Sequence, residues 1–201
     1  KRHKEYEEVF EHTYEEVKKY KDNSIVYIGG DIAHSKTDMS PELVDQLSRL
    51  FKNCADICPT IIIAGNHDCN LNNRSRLDVL TPIVKNINHS NLHYLKDTGV
   101  YKCADVTFVV WDVWDTKKDY IKAKDVEGDT KVVLFHGTVD RCQTDLGFRL
   151  PSDVKITQFR GYDMGLLGDI HKRQHLNKTE TISYCGSLVQ QNHGEGLDHG
   201  Y

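Results

Sequence analysis

The stretch from Thr60 to Asp68 constrains the fold more than any other part of the sequence. Residues 61–64 form an uninterrupted apolar run, which is typical of a buried strand in a parallel sheet. A glycine ends the run, and an amide, an imidazole and a carboxylate follow directly at Asn66, His67 and Asp68. Because open α/β sheets bind ligands at the carboxyl ends of their strands, this pattern predicts an α/β fold with chemically active side chains at a strand end.

Apolar periodicity elsewhere predicts further helices and strands. A 3.6-residue period predicts amphipathic helices at residues 3–21, from Ser40 onward and at about 74–87. Ser40 followed by Pro41 is a typical helix start, since serine caps the first N–H groups and proline fits the first turn. Short apolar runs predict strands at residues 24–30, 60–64, 92–95, 99–103, 106–114, 131–135, 163–167 and 181–184.

The order of these elements predicts the fold class. Helices and strands alternate in the first part of the chain, and from Leu92 the strands become short and closely spaced, which indicates antiparallel or mixed pairing. We therefore expect an α/β fold in which two sheets pack as a β-sandwich flanked by helices. The chain of 201 residues is long enough for one such domain, and a second domain is not required.

Composition and charge argue against several classes of protein. No apolar run approaches the roughly 20 residues of a membrane span, and the first residues lack the pattern of a signal peptide. The net charge of −4 does not indicate a general affinity for nucleic acids. The six cysteines are scattered without a Cys-x-x-Cys pair, so we expect reduced thiols and a cytoplasmic or nuclear location.

Both ends of the sequence look truncated. The chain begins at Lys1, without a methionine, and enters a helical pattern directly. It stops at Gly200 and Tyr201, in a segment that looks like the approach to another strand. We therefore expect these residues to be part of a longer protein.

Four predicted strand ends carry side chains of the types that bind metal ions. They are Asp31; the group Asn66, His67 and Asp68; His136; and Asp169 with His171. Oxygen donors mixed with imidazoles suit Mn²⁺, Fe²⁺ or Zn²⁺, and one carboxylate can bridge two cations about 3.5–4 Å apart. Each group alone has an ordinary explanation, since Gly-Asp is usually a turn and a single histidine is usually a hydrogen-bonded core residue. The four groups in this order predict that the donors converge on a shared pair of cations.

The four groups also carry a family resemblance. Their order resembles that of the calcineurin-like metallophosphoesterase superfamily over residues 24–201. The motifs are Gly-Asp at 30–31, Gly-Asn-His-Asp at 65–68, His-Gly at 136–137 and Gly-x-x-His at 168–171. The resemblance implies a four-layer fold and phosphoester hydrolysis with two divalent metal ions.

Finer detail resembles one branch of that superfamily. The stretches 30–36 (Gly-Asp-Ile-Ala-His-Ser-Lys) and 184–187 (Tyr-Cys-Gly-Ser), with the helix start at Ser40, are similar to the nucleases of double-strand-break repair, the bacterial SbcD type and its relatives. The protein Ser/Thr phosphatases of the superfamily instead carry Val-Asp-Arg-Gly and Gly-Asn-His-Glu, and this sequence has neither. The resemblance therefore implies a DNA exonuclease or endonuclease of the DNA-repair type.

The resemblance implies a metal-binding role for five residues. Asp31 would bridge both metal ions, and His171 would bind the first. Asn66, His136 and Asp169 would bind the second. Manganese is the expected metal, with Mg²⁺, Fe²⁺ or Zn²⁺ as alternatives.

Three further residues would act on the substrate. His67 would protonate the leaving oxygen or stabilise its charge, and a positioned acid of this kind contributes about 10²–10⁴ in rate. Asp68 would orient His67, and His34 would help to place the DNA strand. The candidate phosphate contacts are Lys36, Arg74, Arg76, Lys172 and Arg173. Taken singly, each of them is at least as well explained as an ordinary solvated surface residue.

Two departures from the family pattern affect these expectations. The family's opening Asp-x-His motif is absent, and we expect it upstream of Lys1 because the helix at 3–21 matches what normally follows it. The chain would then be a single catalytic domain that lacks its first strand. On its own, this segment should bind the first metal ion poorly and have little activity. Asp169 stands where the family usually has the first histidine of Gly-His-x-His. It could still bind the metal as a harder donor, which favours Mn²⁺ or Mg²⁺, or it could take no part in metal binding.

Two other functions stay open at this point. The chain could be a phosphoesterase acting on a nucleotide or another small phosphate ester, or a non-catalytic interaction domain with a decayed metal site. The intact Asn66-His67-Asp68 disfavours decay. For a nuclease, the resemblance implies DNA as substrate, an SMC-like coiled-coil ATPase as partner and a second copy of the chain as dimer mate, with no membrane contact.

Overall fold

A computed structural model describes residues 2–191, 193–196 and 199–200 of the protein. The chain divides into two compact units, Lys1–Leu95 and Lys96–Tyr201. The first unit holds all the α-helices of the described residues, and the second is built around a sheet with short 3-10 helices. The predicted approach to another strand at the end of the chain includes Tyr201, which lies outside the described residues.

The first unit contains a three-stranded parallel sheet. Its strands β1 (Val26–Ile28), β2 (Thr60–Ile62) and β3 (Leu92–Tyr94) lie in the order β1-β2-β3, and every neighbouring pair is parallel. Parallel neighbours need crossover connections, and these contain the helices α2 (Pro41–Ile57) and α3 (Leu80–Ile87). The change of pairing that the sequence predicted at Leu92 therefore comes later, because β3 still belongs to the parallel sheet.

The helices of the first unit cover its core. Phe51, Ile62 and Leu80 are fully buried in one cluster, to which α1 (Arg2–Lys19) contributes Tyr14. The predicted start of α2 is confirmed, because Ser40 Oγ accepts a hydrogen bond from the Leu43 N–H at 3.2 Å.

Several predicted boundaries in the chain were wrong, and two of the errors have a local reason. Helix α3 begins at Leu80 rather than at about residue 74, because the buried Asp78 carboxylate accepts the N–H groups of Leu80 and Thr81 and so caps the helix there. Leu77, which the longer helix would have turned inward, is 63% exposed.

Two further errors lie at the ends of a helix and a strand. Helix α1 stops at Lys19, so Tyr20 falls outside its apolar stripe and is exposed. The strand expected over residues 106–114 ends at Trp111, because the Asp112 carboxylate accepts the N–H groups of Trp114 and Asp115 and turns the chain.

Within the described residues, the second unit contains a six-stranded mixed sheet. Its strands, in the order β4-β5-β6-β7-β9-β8, are β4 (Gly99–Cys103), β5 (Val106–Trp111), β6 (Thr130–His136), β7 (Met164–Gly168), β8 (Gln174–His175) and β9 (Ile182–Tyr184). The pairs at the two edges are antiparallel and the central pairs are parallel, as the sequence predicted for a mixed sheet. Strand β8 was not predicted, since two residues carry too little periodicity to detect.

The core of the second unit surrounds Trp111. Its ring stacks on Tyr120 with centroids 4.5 Å apart and contacts Phe135 and Phe159. Its indole N–H donates to the Ile121 carbonyl at 3.0 Å, so the buried polar atom is satisfied. The 3-10 helices Ala123–Asp125 and Ile156–Phe159 lie in the connections that bring these aromatic residues together.

The prediction of a mixed α/β fold with two sheets and accompanying helices is confirmed. All six cysteines are free thiols. Among the described residues, every helix is too short or too polar to cross a lipid bilayer.

Candidate functional residues in the two units

Asp68 ties together the two loops that carry the candidate residues of the first unit. Its carboxylate is fully buried and accepts the N–H groups of Ile32 at 3.0 Å, Ala33 at 2.8 Å and Gly65 at 2.8 Å. The first two groups follow β1 and the third follows β2. Because a buried carboxylate is costly unless its oxygens are satisfied, these bonds both stabilise the charge and fix the loops.

Asp31 is held against the turn that follows β2. It has a positive φ of 52°, and its Oδ1 accepts the His67 N–H at 2.9 Å. A Cβ placed on Gly65 would overlap the Asp31 backbone nitrogen and Oδ1, so only glycine fits this close approach. Asn66 lies in the same turn and is partly buried. The strands β1 and β2 are parallel neighbours that end at the same edge of the sheet. The structure thus brings Asp31, Asn66 and His67 to one end of the parallel sheet, as predicted.

The ring of His67 is fixed by His34. Its Nδ1 lies 3.0 Å from the His34 carbonyl oxygen, and since a carbonyl only accepts, Nδ1 carries the proton. The two imidazoles stack at 5.8 Å between centroids with an interplanar angle of 16°. Both residues are exposed, and this arrangement leaves Nε2 of His67 for other partners. The sequence assigned the orientation of His67 to Asp68, and it did not predict this bond to His34.

His136 and Asp169 lie together at neighbouring strand ends of the second unit. His136 ends β6, Asp169 follows β7, and the two strands are parallel with His136 opposite Gly168. The side chain of His136 is 1% exposed, and its Nε2 lies 3.9 Å from Asp169 Oδ1. Asp169 has a positive φ of 92°, and Thr138 Oγ1 donates to its Oδ2 at 3.3 Å. An imidazole and a carboxylate this close fit the donor chemistry of a transition-metal ion.

Tyr184 fixes the chain just after His136. Its hydroxyl donates to the Gly137 carbonyl at 2.7 Å and accepts the Val139 N–H at 2.9 Å. Burial raises the pKa of Tyr184 far above its ordinary value, so the hydroxyl stays protonated and keeps both bonds. The Tyr-Cys-Gly-Ser stretch singled out in the sequence therefore supports the end of β6.

His171 has a carboxylate partner that sequence reasoning missed. Its Nδ1 lies 2.7 Å from Glu195 Oε1, and the Glu195 side chain is only 5% exposed. Burial acts to raise the pKa of Glu195, but the hydrogen bonds from His171 and the Gln191 N–H hold it below its ordinary value. Glu195 stands between two glycines in a segment without periodicity, so no pattern in the sequence pointed to it.

The sequence profile of the calcineurin-like phosphoesterases matches residues 2–181. The chain therefore belongs to the calcineurin-like phosphoesterase family. A relative in Acanthamoeba polyphaga mimivirus, "Uncharacterized protein R555", is 42% identical over an alignment of 213 positions. This alignment covers 100% of the present chain and 16% of the viral protein, so the chain spans a small part of that relative's length.

Proposed function

We propose that this calcineurin-like phosphoesterase is a metal-dependent phosphodiesterase that cleaves DNA. Family membership over most of the chain supports phosphoester hydrolysis. The observation that carries the proposal further is the turn after β2, where His67 is fixed through Nδ1 and leaves Nε2 for a substrate oxygen. The proposal concerns the protein to which this chain belongs.

The proposed metal ligands are Asp31 and Asn66 of the first unit and His136, Asp169 and His171 of the second. Two bound divalent cations, with Mn²⁺ favoured over Mg²⁺, Fe²⁺ or Zn²⁺, would supply Lewis acidity and an activated water. The Asp169 carboxylate fits this role because it lies beside the buried His136 ring and is oriented by Thr138. The donors mix imidazole nitrogens with carboxylate and amide oxygens, which suits Mn²⁺, Fe²⁺ or Zn²⁺, and the hard carboxylate of Asp169 in place of a histidine favours Mn²⁺ among these.

His67 is the proposed general acid. The bond from Nδ1–H to the His34 carbonyl holds one ring edge, so a protonated ring would donate its second proton from Nε2 to the leaving oxygen. Asp68 would act on this step by fixing the loop that carries His34, through the Ile32 and Ala33 N–H groups. His34 would help to place the strand that is cut.

DNA is proposed as the substrate because two stretches resemble repair nucleases. One is the loop after β1, residues 30–36, and the other is residues 184–187, where Tyr184 fixes the chain beyond His136. The candidate phosphate contacts Lys36, Arg74, Arg76 and Arg173 are exposed, and Lys172 is partly buried.

An SMC-like coiled-coil ATPase and a second copy of the protein belong to the same proposal as partners.

The test compares the wild-type protein with His67→Ala on end-labelled duplex DNA in the presence of Mn²⁺. We expect cleavage by the wild type and a loss of about 10²–10⁴ in rate for the variant, with Mn²⁺ affinity unchanged. His12→Ala, which removes an exposed histidine of α1, serves as the matched control and should cleave at the wild-type rate.

Substrate class is tested with the same proteins on two chromogenic esters. A DNA nuclease should hydrolyse the diester p-nitrophenyl thymidine 5′-phosphate and leave p-nitrophenyl phosphate largely intact. Hydrolysis of the monoester without DNA cleavage would assign the protein to small phosphate esters instead. Wild-type cleavage by His67→Ala would remove His67 from the mechanism.

A further inference from the structure

We propose that Glu195 is the positioning residue of His171, holding its ring with the proton on Nδ1 so that Nε2 is presented as the ligating nitrogen. The inference rests on the proposed function, because it takes His171 as a metal ligand. The distance of 2.7 Å between Nδ1 and Oε1 is that of a strong, charge-assisted hydrogen bond. A carboxylate only accepts, so this bond requires a proton on Nδ1.

The Glu195 carboxylate is itself fixed. Its second oxygen, Oε2, accepts the Gln191 N–H at 2.7 Å and lies 3.6 Å from His199 Nε2. The Glu195 side chain is 5% exposed, whereas that of His171 is 44% exposed. The acceptor is therefore the rigid, buried member of the pair and the imidazole is the accessible one, which is the arrangement expected when the first positions the second.

The segment that carries Glu195 also holds the backbone of His171. The Ser187 N–H donates to the His171 carbonyl at 2.9 Å, and Ser187 Oγ lies 2.9 Å from His199 Nδ1. Gly186 has a positive φ of 81°, and a Cβ there would press on the His171 carbonyl oxygen. Two parts of one segment thus fix His171 independently, one at its main chain and one at its ring.

The consequence for metal binding follows from imidazole chemistry. A neutral imidazole has one protonated and one free nitrogen, so fixing the proton on Nδ1 leaves the Nε2 lone pair free and increases its basicity. Loss of a carboxylate partner behind a ligating histidine typically weakens metal binding by about 10–100-fold. Glu195 acts through His171 and is not assigned contact with the substrate.

The test compares three variants of the protein. Glu195→Ala removes the acceptor, and Glu195→Gln keeps a neutral amide oxygen that can still accept from Nδ1–H. Asp145→Ala is the matched control, because Asp145 Oδ1 accepts the Gly196 N–H at 3.3 Å and so holds the same segment at the residue beside Glu195. If Glu195 serves only to dock the segment, Asp145→Ala should have the same effect as Glu195→Ala.

The first readout needs no metal. In ¹⁵N-histidine-labelled, metal-free protein at a pH where the ring is neutral, the imidazole nitrogens of His171 should show the Nδ1–H tautomer in the wild type and in Asp145→Ala. In Glu195→Ala they should shift toward the Nε2–H tautomer that free histidine prefers, with Glu195→Gln in between. An unchanged tautomer in Glu195→Ala overturns the proposal.

The second readout is the affinity for Mn²⁺, measured by calorimetry. We expect a loss of about 10–100-fold for Glu195→Ala, a smaller loss for Glu195→Gln and none for Asp145→Ala. Equal losses in Glu195→Ala and Asp145→Ala would reduce Glu195 to a docking contact and overturn the inference. Should Glu195→Ala fail to fold, Glu195→Gln decides. A tautomer shifted part of the way and a smaller loss of Mn²⁺ affinity support the proposal, and wild-type values of both overturn it.

The outcomes separate this inference from the proposed function. If the wild type cleaves no phosphoester but Glu195→Ala shifts the tautomer and weakens Mn²⁺ binding, the proposed function fails and the inference stands. If the wild type cleaves DNA and Glu195→Ala keeps both tautomer and affinity, the function stands and the inference fails.

Discussion

The two units hold their candidate residues by different means. In the first unit, the residue that fixes the others belongs to the motif itself, since the carboxylate of Asp68 accepts N–H groups from Gly65 in its own turn and from Ile32 and Ala33. In the second unit, the fixing residues are far along the chain, Tyr184 for the end of β6 and Glu195 for His171. In the first unit, one buried carboxylate therefore accepts three backbone N–H groups, whereas in the second unit two separate side chains, Tyr184 and Glu195, each fix a different part of the chain.

The comparison predicts that single substitutions cost more in the first unit. Three backbone donors share one acceptor residue there, so losing that residue leaves all three without their bond. In the second unit, each long-range contact supports one or two groups, and its loss should be smaller.

Asp68→Ala should have the largest effect. The change leaves the buried N–H groups of Ala33 and Gly65 and the partly buried N–H group of Ile32 without their carboxylate. Since each lost bond exposes the desolvation cost of its donor, we expect the free energy of unfolding to fall by about 3–5 kcal/mol. Urea unfolding followed by circular dichroism measures it. Asp119→Ala is the control, because Asp119 is an exposed carboxylate that also accepts a backbone N–H, that of Thr116. A loss for Asp68→Ala no greater than that for Asp119→Ala would end the claim that support is concentrated at Asp68.

Gly65→Ala should come next. The added Cβ overlaps the backbone nitrogen and carboxylate of Asp31, so the loop after β1 must move, at about 1–3 kcal/mol. The same movement should weaken the proposed binding of Mn²⁺, which calorimetry detects. Gly200→Ala has open space around it and should leave both quantities unchanged. Wild-type stability in Gly65→Ala would show that Asp31 does not need its close approach to the turn.

Tyr184→Phe should have the smallest effect of the three. It removes one hydroxyl and leaves the Val139 N–H and the Gly137 carbonyl without this partner, while the ring stays packed, so we expect a loss of about 1–2 kcal/mol. Tyr101→Phe, which removes a single bond to the Asp97 carbonyl at a less buried site, should cost less. A loss for Tyr184→Phe that matches Asp68→Ala would erase the contrast between the units.

The local sequence was enough to predict an element wherever one residue or a short run of residues determines it. The apolar run at β2 and the serine cap of α2 were predicted because strand burial and helix capping depend on neighbouring residues alone. The errors arose where a side chain competed with the periodic pattern, as Asp78 did at the start of α3 and Asp112 did at the end of β5. Their capping geometry depends on the fold around them, which a periodicity count does not contain.

The sequence by itself determined the family and the types of donor that stand at the ends of the strands, because these are properties of short motifs that keep their meaning in any context. Only the tertiary structure decided which ring nitrogen of His67 and of His171 carries the proton. The His34 carbonyl reaches His67 across 33 positions of the chain, and Glu195 reaches His171 across 24. A hydrogen-bond partner so distant in sequence is chosen by how the chain folds back on itself, and no local pattern records that choice.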